Sequence, residues 1–192
     1  LKTFGKPAPL VARDLRFPVF ERIAADGRVL RPLDRNNVAD IADRLASADI
    51  DAIAIGFLHS YVNPEHERMA ADIIRNSLPR ALISLSCDVS PEIREYERFC
   101  TVTANAYVQP LMAGYIGRLE GSLREIGIGG PLMLMQSNGG LCDVTTAMRY
   151  PVRLLESGPA GGAVFAASLA RELGIAEALL LDIGGTTAKL CF

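Results

Sequence analysis

Two spacings of apolar residues alternate along the chain, one of helical period and one of short continuous runs. Phe17 to Ile23 and Arg28 to Leu33 flank Asp26-Gly27, which predicts a hairpin with an Asp-Gly turn. Asp34 then caps a predicted helix whose apolar positions, Val38, Ile41, Ala42 and Leu45, recur at helical spacing. Asp51 to Leu58 is a nearly continuous apolar run, the pattern of a strand buried on both faces. Asn63-Pro64-Glu65 starts a second helix, with Asn as cap and Pro at its first position. Its apolar stripe is Met69, Ala70, Ile73 and Ile74, and a short strand, Ala81 to Ser86, follows.

Ser90-Pro91-Glu92-Ile93 opens a further helical region, and most of the next ~35 residues, to Ile126, fit a helix. Pro110 and the glycines at 114, 117 and 121 predict a break or kink inside it. Pro131 to Gln136 reads as a strand, Ser137-Asn138-Gly139-Gly140 as a turn, and Asp143 to Met148 as a short helix. Gly158-Pro159-Ala160-Gly161-Gly162 leads into a small-residue helix, Ala163 to Leu173, which Gly174 ends. A last hairpin begins near Ala178. Strands alternating with helices predict an α/β fold with a mixed, largely parallel sheet and flanking helices. The seam between two lobes is expected between Ile126 and Gly158, where turn residues cluster.

Composition narrows the function classes. The 192 residues are 49% apolar, enough for a sizeable core, and a net charge of −2 leaves no electrostatic footprint for nucleic acid. No apolar run approaches the ~20 residues of a membrane span, because Asp51, His59, Asp182 and Lys189 interrupt the best candidates. The stretch Leu1 to Pro7 lacks the apolar core of a signal peptide. Cys87, Cys100, Cys142 and Cys191 form no C-x-x-C pair and no metal-ligand spacing with His59 or His66. They read as reduced, mostly buried thiols of a cytoplasmic protein.

The strongest chemical signal is Asp182-Ile183-Gly184-Gly185-Thr186-Thr187. An apolar strand runs into an aspartate, turns on two glycines and two threonines, and starts a second strand. Glycines permit positive φ angles and close backbone approach to an anion. Threonine hydroxyls add donors, and a carboxylate at the strand end can hold Mg²⁺ through water. A second glycine-rich turn, around Ser157, Gly158 and Gly161, precedes a helix whose first N–H groups suit an anion. For Ala163, Ala166, Ala167 and Ala170 on that helix, close packing against a sheet is the better reading. A third turn offers Gln136, Ser137 and Asn138 as ligand contacts beyond a strand end, weighed against an ordinary Asn-Gly turn.

Two charged runs read mainly as structure. His59 to Glu67 resembles a metal site in its Glu-His-Glu run, but a strand end, a cap and a solvated acidic first turn explain it better. Ser90 to Arg98 reads as capping plus charges on an exposed face, with Glu92, Glu95 and Glu97 offsetting the Arg94–Arg98 repulsion. No Ser-His-Asp or Cys-His arrangement can be assigned, so no catalytic residue is named.

The order of these segments resembles a known family. Phe57 to Glu67 is similar to the "F-S-[YF]-x-N-P-x-H-E" segment of the hydantoinase A/5-oxoprolinase family. Ser90 to Arg98 matches its "S-P-E-I-R-E-Y-E-R" and Asn105 to Pro110 its "N-A-Y-V-x-P". Met135 to Gly140, Ser157 to Gly162 and Asp182 to Thr187 follow in the family's order, and the resemblance covers the chain from about Phe17. It implies ATP-dependent opening of a cyclic amide, such as a hydantoin or 5-oxoproline, by phosphoryl activation of the amide oxygen. Related subunits of acetone-type carboxylases imply an alternative, ATP-dependent activation of a ketone. A nucleotide-binding regulatory or sugar-kinase-like protein is a third.

The resemblance further implies a two-lobed, actin/Hsp70-like (ribonuclease H-like) ATPase fold. Residues 1–130 would be the rear of the N-terminal lobe and residues 131–192 the start of the second. Gly184, Gly185, Thr186 and Thr187 would then contact phosphate and Asp182 would serve Mg²⁺. Ser157, Gly158 and Gly161 would lie near the hinge, and a hydantoinase B-like subunit is the implied partner. The family's first phosphate hairpin and its adenosine-binding part are not found, so the chain is expected to be a fragment, inactive alone.

Overall fold

A computed structural model describes residues 8–48, 50–185 and 187–192. Contacts divide the chain into two units, one ending at Pro110 and one running from Leu111 to Phe192.

In the first unit, β1 (Arg22–Ile23) and β2 (Val29–Arg31) form the expected antiparallel hairpin, with Gly27 at φ 85° in its turn. Asp34 accepts from the Asn37 N–H and starts α1 (Arg35–Ala46), whose buried residues are the four expected: Val38, Ile41, Ala42 and Leu45. β3 (Ala52–Ile55), α2 (Glu65–Ser77) and β4 (Leu82–Leu85) make one βαβ crossover, with Ile53 opposite Ile83 in a parallel ladder. α1 and α2 close over this ladder. The core joins Val38 and Ala42 of α1, Ala70, Ala71 and Ile74 of α2, Ile55, Phe57 and Leu85.

Three expectations need correction here. β3 is not buried on both faces, since Ala54 is exposed. Its ladder partner Ser84 is buried, donating to Gln109 at 3.0 Å and accepting from Asn105 at 2.9 Å. Asn63 accepts from the Glu65 N–H, but the residue at the cap position of α2 is Pro64, one later than expected. The first turn of α2 is only partly solvated: Glu65 is exposed, but His66 and Glu67 are buried. The reason is the company that turn keeps. Glu67 accepts from the Phe57 N–H (2.9 Å), the Cys87 N–H (2.9 Å) and the Ser86 hydroxyl (2.6 Å). His66 Nδ1 donates to Glu21, and His59 Nδ1 to the Ile23 carbonyl, both at 2.8 Å.

The Ser90–Arg98 run is corrected in the same way. Arg98 is buried rather than part of an exposed charged face. Its guanidinium donates to Ser86 Oγ (3.1 Å), the Glu92 carbonyl (2.9 Å) and the Phe57 carbonyl (2.8 Å). It also lies 5.3 Å from the ring centres of both Tyr61 and Phe99. Gly56 is where that packing is tightest, because a Cβ there would stand 2.6 Å from Phe99.

The Ser86 hydroxyl, at the start of α3 (Ser86–Val89), is saturated. Its proton goes to Glu67, so its two lone pairs take Arg98 and the hydroxyl of Ser60, 3.1 Å away. No described buried side-chain nitrogen or oxygen lacks a hydrogen-bond partner.

α4 (Glu95–Glu125) runs unbroken through Pro110, so the expected break is absent. Proline removes one backbone donor, and the helical bonds on either side persist. In the second unit β5 (Met133–Met135) and β6 (Leu141–Asp143) form an antiparallel hairpin; β6 was not expected. Asp143 caps α5 (Val144–Arg149) by accepting from the Thr146 N–H at 2.7 Å, a bond that lowers its carboxyl pKa. A small core of Ile116, Cys142 and Ala147 forms beside them. α6 (Ser157–Glu172) leads to the antiparallel pair β7 (Leu180–Ile183) and β8 (Ala188–Cys191).

The fold is thus mixed α/β with small sheets, not one largely parallel sheet. The described strands form four two-stranded ladders, of which only β3–β4 is parallel. Parallel pairing needs a long crossover, and only α2 bridges a strand pair; the other pairs are joined by tight turns.

Two outcomes test this account. Ser86→Ala should destabilise the first unit by about 3 kcal/mol, since it strips partners from a buried carboxylate and a buried guanidinium. Urea unfolding would measure it, and a loss below about 1 kcal/mol would refute the shared-hydroxyl argument. Burial first, then the Glu67 carboxylate, pushes the Cys87 thiol well up. The neutral thiol therefore favours the folded state fully below the ordinary thiol pKa, and that contribution is lost as pH rises through the raised folded value. Exposed Cys100 and Cys191 should accordingly be alkylated at pH 8 while Cys87 stays unmodified by mass spectrometry.

Candidate functional site

The β7–β8 hairpin pairs Asp182 with Lys189 and Ile183 with Ala188 across a four-residue loop, 184–187. The Gly184 N–H closes that loop on the Thr187 carbonyl at 2.9 Å. Neither Gly184 nor Gly185 takes a left-handed φ, so their value is not positive φ. What they supply is space: nothing stands within 4 Å of a Cβ built on Gly185. Thr187 is exposed, and Thr186 lies outside the described residues.

Alternation divides the hairpin into two faces. Leu180, Asp182 and Lys189 are half-buried, while Leu181, Ile183 and Leu190 are exposed. The half-buried face borders α6. Gly162 lets that helix approach, since a Cβ there would meet Leu180 Cδ2 at 3.2 Å, and Gly161 does the same against Met135 at 3.4 Å. Gly161 therefore has a packing role. Gly158 faces open space, and Ser157 is the first residue of the helix.

A groove of about 420 Å³ lies between the start of α6 and the hairpin. Ser137, Glu156, Asp182 and Lys189 line it with the small residues Ala160 and Ala163. It brings together Ser137 and Asp182, two of the residues singled out from sequence. Gln136, Asn138, Gly158, Gly161, Gly184, Gly185 and Thr187 are not among its lining residues. Asn138 accepts from the Gly140 N–H at 2.9 Å and Gln136 closes the same turn backbone to backbone, as an ordinary Asn-Gly turn does. Ala163, Ala166, Ala167 and Ala170 border a second groove, of about 400 Å³, together with Leu180 and Cys191 of the β7–β8 hairpin and Phe192.

The groove contains two residues that sequence reasoning missed. Lys189 forms an ion pair with Glu156, which precedes α6 in a left-handed conformation, φ 64° and ψ 20°. Counting ladder positions outward from the four-residue loop would have placed Lys189 opposite Asp182. Nothing local marks Glu156 as its partner. Among the described residues, no group of three or more His, Cys, Asp or Glu side chains is placed to hold a metal ion. His59 and His66 are instead engaged by Ile23 and Glu21. No helix among the described residues is long and apolar enough to cross a membrane.

Comparison with known proteins matches residues 2–78 to the hydantoinase/oxoprolinase N-terminal region and residues 98–192 to hydantoinase/oxoprolinase. The chain belongs to the hydantoinase/oxoprolinase family. An uncharacterised protein of Methanocaldococcus jannaschii is 39% identical over 186 residues, covering 97% of this hydantoinase/oxoprolinase chain and 27% of its own length. The alpha subunit of caprolactamase from Pseudomonas jessenii is 36% identical over 185 residues, covering 96% and 27%. The crystal structure of ATP-dependent caprolactamase from that organism matches with a TM-score of 0.86 over 98% of this chain and 27% of the other. The nucleotide-free structure of acetone carboxylase matches with a TM-score of 0.84 at 30% identity, over 96% and 26%. This family member spans about a quarter of the length of the relatives it matches.

The left-handed Glu156 gives a direct test of what its ion pair contributes. Glycine adopts φ 64° without the steric cost a side chain meets, and an exposed pair is worth little. Glu156→Gly should therefore leave the thermal midpoint unchanged or raise it. A clear fall in the midpoint would mean that the pair anchors α6.

Proposed function

We propose that this chain carries the second phosphate hairpin of an ATP-dependent enzyme that opens cyclic amides, within a two-lobed, actin-like arrangement. Residues 1–130 would belong to the first lobe and residues 131–192 to the start of the second. The observation that supports this best is the meeting of Asp182, Lys189 and Ser137 in one groove beside an unobstructed glycine turn.

On this reading Gly185 and Thr187 border the phosphates, and Thr186, outside the described residues, is proposed as a further phosphate contact. Gly184 supports the turn internally, through its bond to Thr187. Ser157 and Gly158 lie at the start of α6, where helix N–H groups favour an anion. Gln136 and Asn138 shape the turn that presents Ser137. The donor set fits Mg²⁺ in one way: a single carboxylate, Asp182, holding a hard cation that keeps most of its waters. Such an ion would neutralise phosphate charge; the chain's own part is to hold and orient it.

The chemistry is phosphoryl transfer to the amide oxygen, which makes the ring carbon electrophilic. Water then attacks, the C–N bond breaks to free the amine, and a second water hydrolyses the resulting acyl phosphate to carboxylate and inorganic phosphate. Such a reaction calls for positioning and charge neutralisation rather than a protein nucleophile. The likeness to caprolactamase, whose name is that of a cyclic-amide enzyme, supports this substrate class. That relative is an alpha subunit, which supports a second, hydantoinase B-like subunit as partner. The nearly equal structural match to acetone carboxylase supports a second reading, ATP-dependent activation of a ketone.

The test is product analysis of the enzyme containing this segment, with its partner subunit, on 5-oxoproline, hydantoins, caprolactam and acetone, each with ATP. Ring-opened product with one of the amides is expected. Carboxylated ketone alone would replace the first reading with the second, and no turnover on any would sink both. Asp182→Asn should lower ATP cleavage by about 100-fold with the fold intact. An unchanged rate would remove Asp182 from the site.

A further inference from the structure

We propose that Lys189 is the counter-charge for the phosphate groups, and that Glu156 occupies its ammonium until they arrive. The proposal deepens the phosphate-hairpin reading above and rests on it.

Lys189 and Asp182 are directly opposed on the β7–β8 ladder, so their side chains leave the same face. The ammonium nonetheless pairs with Glu156, which comes from outside the hairpin. Glu156 holds a backbone conformation that costs free energy for a residue with a Cβ. The pair is also largely solvated, its side chains 36% and 69% exposed, so little holds it together. A contact that is costly to present and weak when formed is easily exchanged.

The groove around it has room for the exchange, at about 420 Å³, with Ala160 and Ala163 leaving its wall low. Its charged lining is two carboxylates and one ammonium, joined by the Ser137 hydroxyl and the Cys191 thiol. Two carboxylates repel a bare polyphosphate. A polyphosphate that brings a divalent cation reverses the balance. Its oxygens replace Glu156 on Lys189, while Asp182 accepts from the water shell of the cation. Glu156, once released, adds a second carboxylate facing that shell. The site so built selects the magnesium complex over the free polyanion.

The experiment is a two-dimensional NMR titration of the chain with tripolyphosphate and with ATP, each with and without Mg²⁺, following the Gly184 and Gly185 amides. Both magnesium complexes should shift those amides, and the metal-free anions should bind more weakly. Lys189→Ala and Lys189→Gln should each weaken the magnesium complexes about tenfold, while Lys189→Arg stays near wild type. Glu156→Gln should tighten them about threefold, because the competing carboxylate is gone. Far-UV circular dichroism confirms that each variant is folded.

Wild-type affinity in both Lys189→Ala and Lys189→Gln, with the amide shifts retained, would overturn the role of Lys189 and leave the hairpin reading standing. Glu156→Gln weakening binding would make the pair a structural tie and overturn the exchange. No shift at Gly184 or Gly185 with any probe would sink the hairpin reading, and this proposal with it.

Discussion

One buried carboxylate organises the first unit. Glu67 sits at the start of α2, where two other segments meet it: Phe57, two residues past β3, and Ser86 and Cys87 at the start of α3. A buried carboxylate without partners would be neutralised or would carry a large desolvation cost. Here two backbone N–H groups and one hydroxyl meet it. Ser86 then passes the connection to Arg98, which returns to the Phe57 carbonyl and so closes a ring of contacts around β3. The apolar core beside this ring is formed by Ala70, Ala71 and Ile74 on the same helix. Burial and polar pairing therefore depend on one placement of α2.

The second unit is held differently. Its buried apolar cluster is small, and its elements approach one another through glycines. Gly161 meets Met135 and Gly162 meets Leu180, which seats α6 against both of its neighbouring hairpins. Large apolar side chains such as Phe165, Ile183 and Leu190 remain exposed. The groove at the candidate site follows from that arrangement. Small residues keep it open, and its charged groups come from two separate places, the residue before α6 and the β7–β8 hairpin.

Much of the local structure was legible because its signals act within a few residues. Asp34 caps α1 and Asp143 caps α5 through N–H groups three residues on. Asp26-Gly27 turns the first hairpin, and the helical spacing in α1 names its buried face without error. Charged residues were where the reading failed. His66, Glu67 and Arg98 look like solvated helix termini by any local rule, because periodicity counts a charge as a surface position. They are buried because they meet partners that stand as far as 45 residues away in sequence. At the site, Asp182 and Ser137 were legible as polar groups at strand ends. The Lys189–Glu156 pair spans two elements and leaves no mark in either.

The sequence by itself determined most of the helices, strands and turns, with β6, α3 and the unbroken course of α4 excepted, and the order of motifs that makes the chain a hydantoinase/oxoprolinase family member. Those are short-range properties: a cap, a turn glycine or an apolar stripe acts on its own backbone. Only the tertiary structure decided that the described strands pair in four small ladders, that Glu67 and Arg98 share one serine, and that Lys189 pairs with Glu156 while sharing a face with Asp182. Each of those facts depends on where distant backbone donors, acceptors and charges come to rest. Burial turns such a meeting from a weak solvated contact into a strong requirement, and burial is a property of the assembled fold.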